Sequence, residues 1–123
     1  MTMRKQVLVA DDDQMQRQLV RATLEGESIE ILEAEDGQQA LSLIEQLHPA
    51  LVLLDCLMPE LDGFEVCRSI RQRGLPITVV MLTVKSRPSD RRRGLLAGAD
   101  HYLTKPFSPL ELLNLVEEAL AKP

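Results

Sequence analysis

Short apolar runs alternate along the chain with longer stretches of mixed polarity, and the alternation repeats five times. The runs Gln6–Ala10, Ile29–Ala34, Ala50–Asp55, Ile77–Leu82 and His101–Thr104 predict strands. Ala50-Leu51-Val52-Leu53-Leu54 and Ile77-Thr78-Val79-Val80-Met81-Leu82 are nearly all apolar, as strands covered on both faces must be. Ile29-Glu30-Ile31-Leu32-Glu33-Ala34 mixes charge into its run and His101–Thr104 is short, so both suit sheet edges.

The intervening stretches have helical period. Ala40, Leu43, Ile44 and Leu47 follow i, i+3, i+4, i+7, and so do Leu112, Leu115, Val116 and Ala119. Met15, Leu19 and Ala22 mark an apolar stripe on the first helix, and Leu95, Leu96 and Ala99 one on the fourth. Asp36 with Gln39, Asp62 with Glu65, and Ser108-Pro109-Leu110-Glu111 have capping-box spacing, the last with proline at the first helical position. Strict strand–helix alternation predicts an α/β fold: a parallel sheet with right-handed crossovers and helices on both faces.

Composition narrows the class. A chain of 123 residues is one domain by size, and 45% apolar residues with 2% aromatics require an aliphatic core. The 27% charged residues accompany enough apolar content to exclude a disordered segment. The longest unbroken apolar run, Ala50 to Leu54, is too short to cross a bilayer. Met1-Thr2-Met3-Arg4-Lys5 leads straight into a strand, so no secretory leader is expected and the location expected is cytoplasmic. Cys56 and Cys67 are too few for a disulfide framework or a four-cysteine zinc site and are expected to be buried thiols.

The net charge of −5 is unevenly distributed. Residues 1–62 hold 13 acids and 4 bases, whereas residues 63–123 hold 6 acids and 10 bases. An acidic whole argues against direct nucleic-acid binding.

Much of the acidic excess falls at strand ends. Asp11, Asp12 and Asp13 follow the first strand, Asp55 ends the third, Thr83 follows the fourth, and Lys105-Pro106 follows the fifth. In a doubly wound parallel sheet these ends share one edge, where ligands bind. Two carboxylates ~4 Å apart repel by about 4 kcal/mol at an effective dielectric near 20. Several ionised together call for a cation, and a hard divalent ion such as Mg²⁺ suits an all-oxygen site. Such a cation, a lysine and a hydroxyl together make a receptor for a phosphoryl group. Each residue also has a plain structural use: helix capping by the aspartates, a β-branched strand residue at Thr83, a turn lysine at Lys105. Those uses would have to coincide at four ends of one sheet.

Four blocks of the sequence resemble the receiver domain of bacterial two-component response regulators. They are Val7-Leu8-Val9-Ala10-Asp11-Asp12-Asp13, Leu53-Leu54-Asp55-Cys56-Leu57-Met58-Pro59-Glu60-Leu61-Asp62-Gly63, Met81-Leu82-Thr83, and Gly98-Ala99-Asp100-His101-Tyr102-Leu103-Thr104-Lys105-Pro106-Phe107. The likeness covers essentially the whole chain. It implies a flavodoxin-like doubly wound (βα)5 fold with strand order 2-1-3-4-5, and a single receiver domain over residues 1–123 with no output domain in this chain. It implies Asp55 as phosphoacceptor, taking a phosphoryl group from the phosphohistidine of a sensor kinase or phosphotransfer protein. Asp12, Asp55 and the Leu57 carbonyl would bind Mg²⁺, with Asp11 acting through a water. Lys105, Thr83 and the Val84 backbone would hold the phosphoryl oxygens, and the Lys105–Pro106 bond would be cis. Thr83 and Tyr102 would switch the face made by the fourth helix, fifth strand and fifth helix, a face open to an output target or a second copy. Asp13 is left for capping or a water-mediated role.

The sequence departs from that family in places. Val84 stands where a small residue is usual, and with Leu57 and Lys85 it flanks the approach to Asp55. An apolar side chain and a long cation at the last two positions imply slow loss of the phosphoryl group. Arg87, Arg91, Arg92 and Arg93 make a basic start to the fourth helix, read either as a solvated end or as a face for an acidic partner or a second copy. His48 is expected in a loop and His101 on an edge strand. Three other functions remain beside the signalling switch. One is an interaction module of the same fold that does not use phosphorylation. Another is a Mg²⁺-dependent aspartyl phosphohydrolase, suggested by Asp11-x-Asp13. The third, a flavodoxin-like FMN carrier, is opposed by the acidic first loop and scarce aromatics.

Overall fold

The computed structural model describes residues 4–85 and 87–121. Met1-Thr2-Met3 and the last residues of the 1–123 domain lie outside them. In chain order the elements are β1 (Lys5–Ala10), α1 (Gln14–Leu24), β2 (Ile29–Ala34), α2 (Gly37–Leu47), β3 (Leu51–Leu54), α3 (Gly63–Gln72), β4 (Thr78–Thr83), α4 (Pro88–Ala97), β5 (His101–Thr104) and α5 (Pro109–Ala121). The strands form one parallel sheet ordered β2-β1-β3-β4-β5, the order the resemblance implies. The two strands expected at the edges, β2 and β5, are there.

The pleat divides the core. On one face, Leu8, Val52, Leu54 and Met81 pack with Ile44, Phe64 and Ile70 beneath α2 and α3. On the other, Val7, Val9, Leu51, Leu53 and Val80 pack with Val20, Leu24, Leu112 and Val116 of α1 and α5. Alternate residues of one strand therefore serve opposite layers, and this is why β3 and β4 tolerate almost no polar side chain. Side-chain oxygens of Asp13, Asp36 and Asp62 accept backbone N–H bonds at the starts of α1, α2 and α3. At α5 the box is reciprocal: Glu111 N donates to Ser108 Oγ, and Ser108 N donates to Glu111 Oε1, both at 3.1 Å.

Two expected helix stripes are wrong. In α1 the inward residues are Arg17, Val20 and Leu24, whereas Met15 is 77% exposed and Leu19 and Ala22 also face out. Arg17 can take an interior place because its charge is met there. Nε donates to Glu33 Oε1 at 3.0 Å, and Nη1 donates to the Asp11 carbonyl at 2.7 Å. In α4 the inward residues are Asp90, Gly94 and Ala97, while Leu95 and Leu96 are 57% and 81% exposed. The Tyr102 ring occupies the space against α4 at Gly94. Ala99 is buried but lies beyond the helix, past the Gly98 cap. Leu47, at the end of α2 before a left-handed His48 (φ 45°), also turns outward. Cys56 and Cys67 are free and buried, as expected, and burial pushes both thiols up to about 11. No described helix is long and apolar enough to cross a membrane.

Candidate functional site

Parallel register brings the acidic strand ends together. Ala10 of β1 pairs with Leu54 of β3, and Leu54 pairs with Met81 of β4, so the residues that follow emerge side by side. Asp55 N donates to the Ala10 carbonyl at 3.0 Å, and Asp11 N donates to the Ala34 carbonyl at 3.1 Å. Lys105 N donates to the Thr83 carbonyl at 2.7 Å, which carries the lysine to the same edge next to a cis Lys105–Pro106 bond. Gly63 opens α3 directly against this turn, where a Cβ would collide with the Asp55 carbonyl.

Oxygens of Asp11, Asp12 and Asp55 lie within 4.8 Å of one another. Asp11 and Asp55 are buried and Asp12 is exposed. Lys105 Nζ reaches between the buried pair, 2.7 Å from Asp11 Oδ2 and 3.1 Å from Asp55 Oδ2. Burial raises the pKa of Asp55, and the Asp11 charge adds to the rise. The Leu57 N–H, donating to Asp55 Oδ1 at 3.0 Å, and the Lys105 charge oppose it. Burial also works against the Lys105 charge, but the two carboxylates outweigh it and hold Lys105 above the ordinary lysine value.

The donor set fits a small hard cation. Three carboxylates around one ammonium leave two uncompensated negative charges when all are ionised, and the donors are all oxygen. Bonds of ~2.1 Å place octahedral ligand oxygens ~3 to 4.2 Å apart, close to the 4.8 Å within which the three carboxylates' oxygens lie. Asp13 stands apart from the cluster, since its Oδ1 accepts from Met15 N at 2.9 Å and caps α1.

Around this cluster, Thr83 is fully buried and its Oγ1 accepts from Lys85 N at 3.3 Å. Leu57 and Val84 are exposed and Lys85 is half-buried. The Tyr102 hydroxyl donates to the Lys85 carbonyl at 2.8 Å, so the ring is turned toward the β4–α4 loop that follows Thr83. The Cys56 thiol donates to Met81 Sδ at 3.9 Å. Arg17 and Gly94 support the site, through the Asp11 carbonyl and the Tyr102 ring, and were missed by the sequence reading. For Arg17 a signal existed, because it shares i, i+3, i+7 spacing with Val20 and Leu24.

The four arginines of α4 do not form one patch. Arg87 pairs with Asp90 at 3.4 Å. Arg91 donates to Thr104 Oγ1 at 3.0 Å and lies over the Tyr102 ring. Arg93 lies over the Phe64 ring, with Asp62 at 3.9 Å. Arg92 is exposed and has none of these partners. A cavity of about 410 Å³, lined in part by Lys5, Leu24, Leu113 and Leu120, lies at the opposite end of the sheet from the carboxylates.

Residues 7–117 match a family model described as the response regulator receiver domain. The chain is 41% identical over 120 residues to the alkaline phosphatase synthesis transcriptional regulatory protein PhoP of Bacillus subtilis, covering 98% of this chain and 50% of that protein. It is 43% identical over 122 residues to the DNA-binding response regulator MtrA of Mycobacterium tuberculosis, covering 98% of this chain and 53% of that one. The chain thus spans about half the length of these relatives. Among solved structures it is similar to the receiver domain of the putative response regulator NarL of Mycobacterium tuberculosis (TM-score 0.91, 30% identity, 98% of each chain). It is also similar to the BeF3-activated DrrB receiver domain (TM-score 0.90, 31% identity, 98% of this chain and 100% of that one).

Proposed function

The chain belongs to the response regulator receiver domains, the signalling switches of two-component systems, and from that premise we propose that residues 1–123 act as a receiver phosphorylated on Asp55. The observation that carries this reading is the cluster of Asp11, Asp12 and Asp55 at one sheet edge, with Lys105 bridging Asp11 and Asp55. The phosphoryl donor is the phosphohistidine of a sensor kinase or a phosphotransfer protein. An Asp55 Oδ lone pair forms the new O–P bond as the N–P bond breaks, and the electron pair returns to the imidazole, which takes a proton from solvent.

Asp12, Asp55 and the Leu57 carbonyl would hold Mg²⁺, with Asp11 reaching it through a water. Bound there, the ion offsets carboxylate charge and charge developing on the phosphoryl oxygens. Lys105 leaves its carboxylate partners to meet one phosphoryl oxygen, and the Thr83 hydroxyl and the Val84 N–H meet others. Thr83 then draws the β4–α4 loop inward and Tyr102 stabilises the new arrangement, biasing the face made by α4, β5 and α5 toward its target or a second copy. Leu57, Val84 and Lys85 crowd the approach of water to Asp55, which makes the acyl phosphate long-lived. In the Asp11-x-Asp13 spacing that suggested a phosphohydrolase, the Asp13 carboxylate is engaged in capping α1.

Intact mass after incubation with acetyl phosphate and Mg²⁺ tests the proposal. The expected result is a gain of one phosphoryl group by the wild type and none by Asp55→Asn. Absence of any gain in the wild type would favour an interaction module that works without phosphorylation, and steady phosphate release from many organic phosphates would favour a hydrolase.

A further inference from the structure

We propose that the groove between α3 and α4 is a docking site for an acidic, amphipathic peptide segment of a protein partner. The groove encloses about 340 Å³ and is lined by Arg68 of α3 with Ser89, Arg92, Arg93, Leu96 and Ala97 of α4. Its cations are not equivalent. Arg93 lies over Phe64 with Asp62 on the rim at 3.9 Å. Arg68 and Arg92 have neither an ion pair nor a side-chain hydrogen bond among the described residues, and both are exposed.

Helix geometry adds to their field. α4 begins at Pro88 with Arg87 as its N-cap, and among the described residues no side chain caps it. The acid of its first turn, Asp90, is buried and paired with Arg87. The start of α4 adds a partial positive charge within its first turn, where Ser89 lines the groove. An anionic partner offsets both this charge and that of the arginines. Beside the arginines lies Leu96, 81% exposed, one turn along α4 from Arg92. Apolar exposure next to free guanidinium groups matches a segment with carboxylates on one side and an aliphatic residue on the other. A nucleic-acid backbone would use the charge and leave Leu96 uncovered, and the chain's net charge of −5 also opposes it. Arg68, Arg92 and Leu96 are exposed while Asp55 is unmodified, so the groove is open to a partner before phosphorylation.

The test is fluorescence anisotropy at ~0.1 M salt, where surface charges still act over ~10 Å. The probe is a short fluorescein-labelled peptide with glutamates on one helical face and leucines on the other. Unphosphorylated wild type is expected to bind it. Arg68→Glu/Arg92→Glu is expected to lose at least ~10-fold, in line with loss of charge-assisted bonds. Leu96→Ser should lose several-fold with charge unchanged, and Arg4→Glu, outside the groove, should bind as wild type does. Variants are compared only where their circular dichroism and melting match wild type. Equal binding by the double arginine variant overturns the proposal, as does equal binding by Leu96→Ser. Displacement of the peptide by a DNA duplex at equal charge concentration would mark a generic polyanion surface and also overturn it. Self-association of wild type lost in the same variants would assign the groove to a second copy instead.

Discussion

Replacing Gly94 by alanine tests how Tyr102 is held. A Cβ added at Gly94 would lie 3.0 Å from Tyr102 Cδ2 and 3.1 Å from Cε2. Carbon atoms pack best at about 3.5–4.0 Å, so the ring must retreat by roughly half an ångström or swing out. Either move strains the 2.8 Å bond from its hydroxyl to the Lys85 carbonyl. Overpacking costs about 1–3 kcal/mol, and losing a neutral hydrogen bond costs about 1 kcal/mol. Alanine also favours the helix by about 1 kcal/mol, but that gain is the same for both ring positions. The balance should therefore move toward the outward ring by about 1–3 kcal/mol, a factor of roughly 5 to 150, while global stability changes by less than about 2 kcal/mol. Tyr102 is the only tyrosine and there is no tryptophan, so the readout is unambiguous. Fluorine NMR of protein labelled with fluorotyrosine should show its single resonance moving toward the solvent-exposed position, and iodide should quench tyrosine emission more strongly. An unchanged resonance and unchanged quenching in a folded Gly94→Ala protein would refute the packing argument.

Thermal melts with Mg²⁺ at ~10 times its dissociation constant should show a gain of roughly 1.4 kcal/mol, absent in Asp12→Ala; a variant that kept the full response would remove Asp12 from the site. Burial opposes ionisation of Glu33, but Arg21 and Arg17 outweigh it and lower its pKa, so its stabilisation is present above the ordinary carboxylate range and is lost as pH falls through its folded value. Glu33→Gln should therefore cost about 1–2 kcal/mol at neutral pH, with the difference shrinking in urea melts as pH falls below the ordinary carboxylate range; a pH-independent difference would contradict the pairing. For Cys67 the sign is opposite: its folded value, raised from 9.0 to about 11 by burial, gives stability present below the ordinary thiol value and lost as pH rises through about 11. Melting should fall more steeply over that range in wild type than in Cys67→Ala, and alkylation at pH ~8 should await unfolding.

Much of the fold was legible because its causes are local. A strand covered on both faces must be apolar throughout, and Leu51–Leu54 shows it; an edge strand can carry Glu30 and Glu33. Aspartate and serine caps satisfy N–H groups two or three residues away, so their spacing is enough to place the helix starts. The candidate site was legible for a topological reason, since parallel strands joined by right-handed crossovers deliver all their carboxyl ends to one edge. Asp11, Asp12, Asp55, Thr83 and Lys105 could be grouped before any distance was known.

What the sequence could not decide was which polar groups would find partners far along the chain. Arg17 lies off the Met15, Leu19 and Ala22 stripe read for α1, yet Glu33 and the Asp11 carbonyl meet its charge and place it in the interior, with Met15 turned outward. Gly94 yields its space to a ring eight positions on, which leaves Leu95 and Leu96 in solvent. The arginines of α4 share one residue type and one helix, but Thr104, Phe64 and Asp90 give three of them work and leave Arg92 beside Arg68. By itself the sequence determined the elements, their layering and the residues that meet at the acidic edge, because these follow from local periodicity and connection rules. Only the tertiary structure decided which helix faces turn inward and which charges stay free, because burial of a polar group depends on a partner that another element must supply.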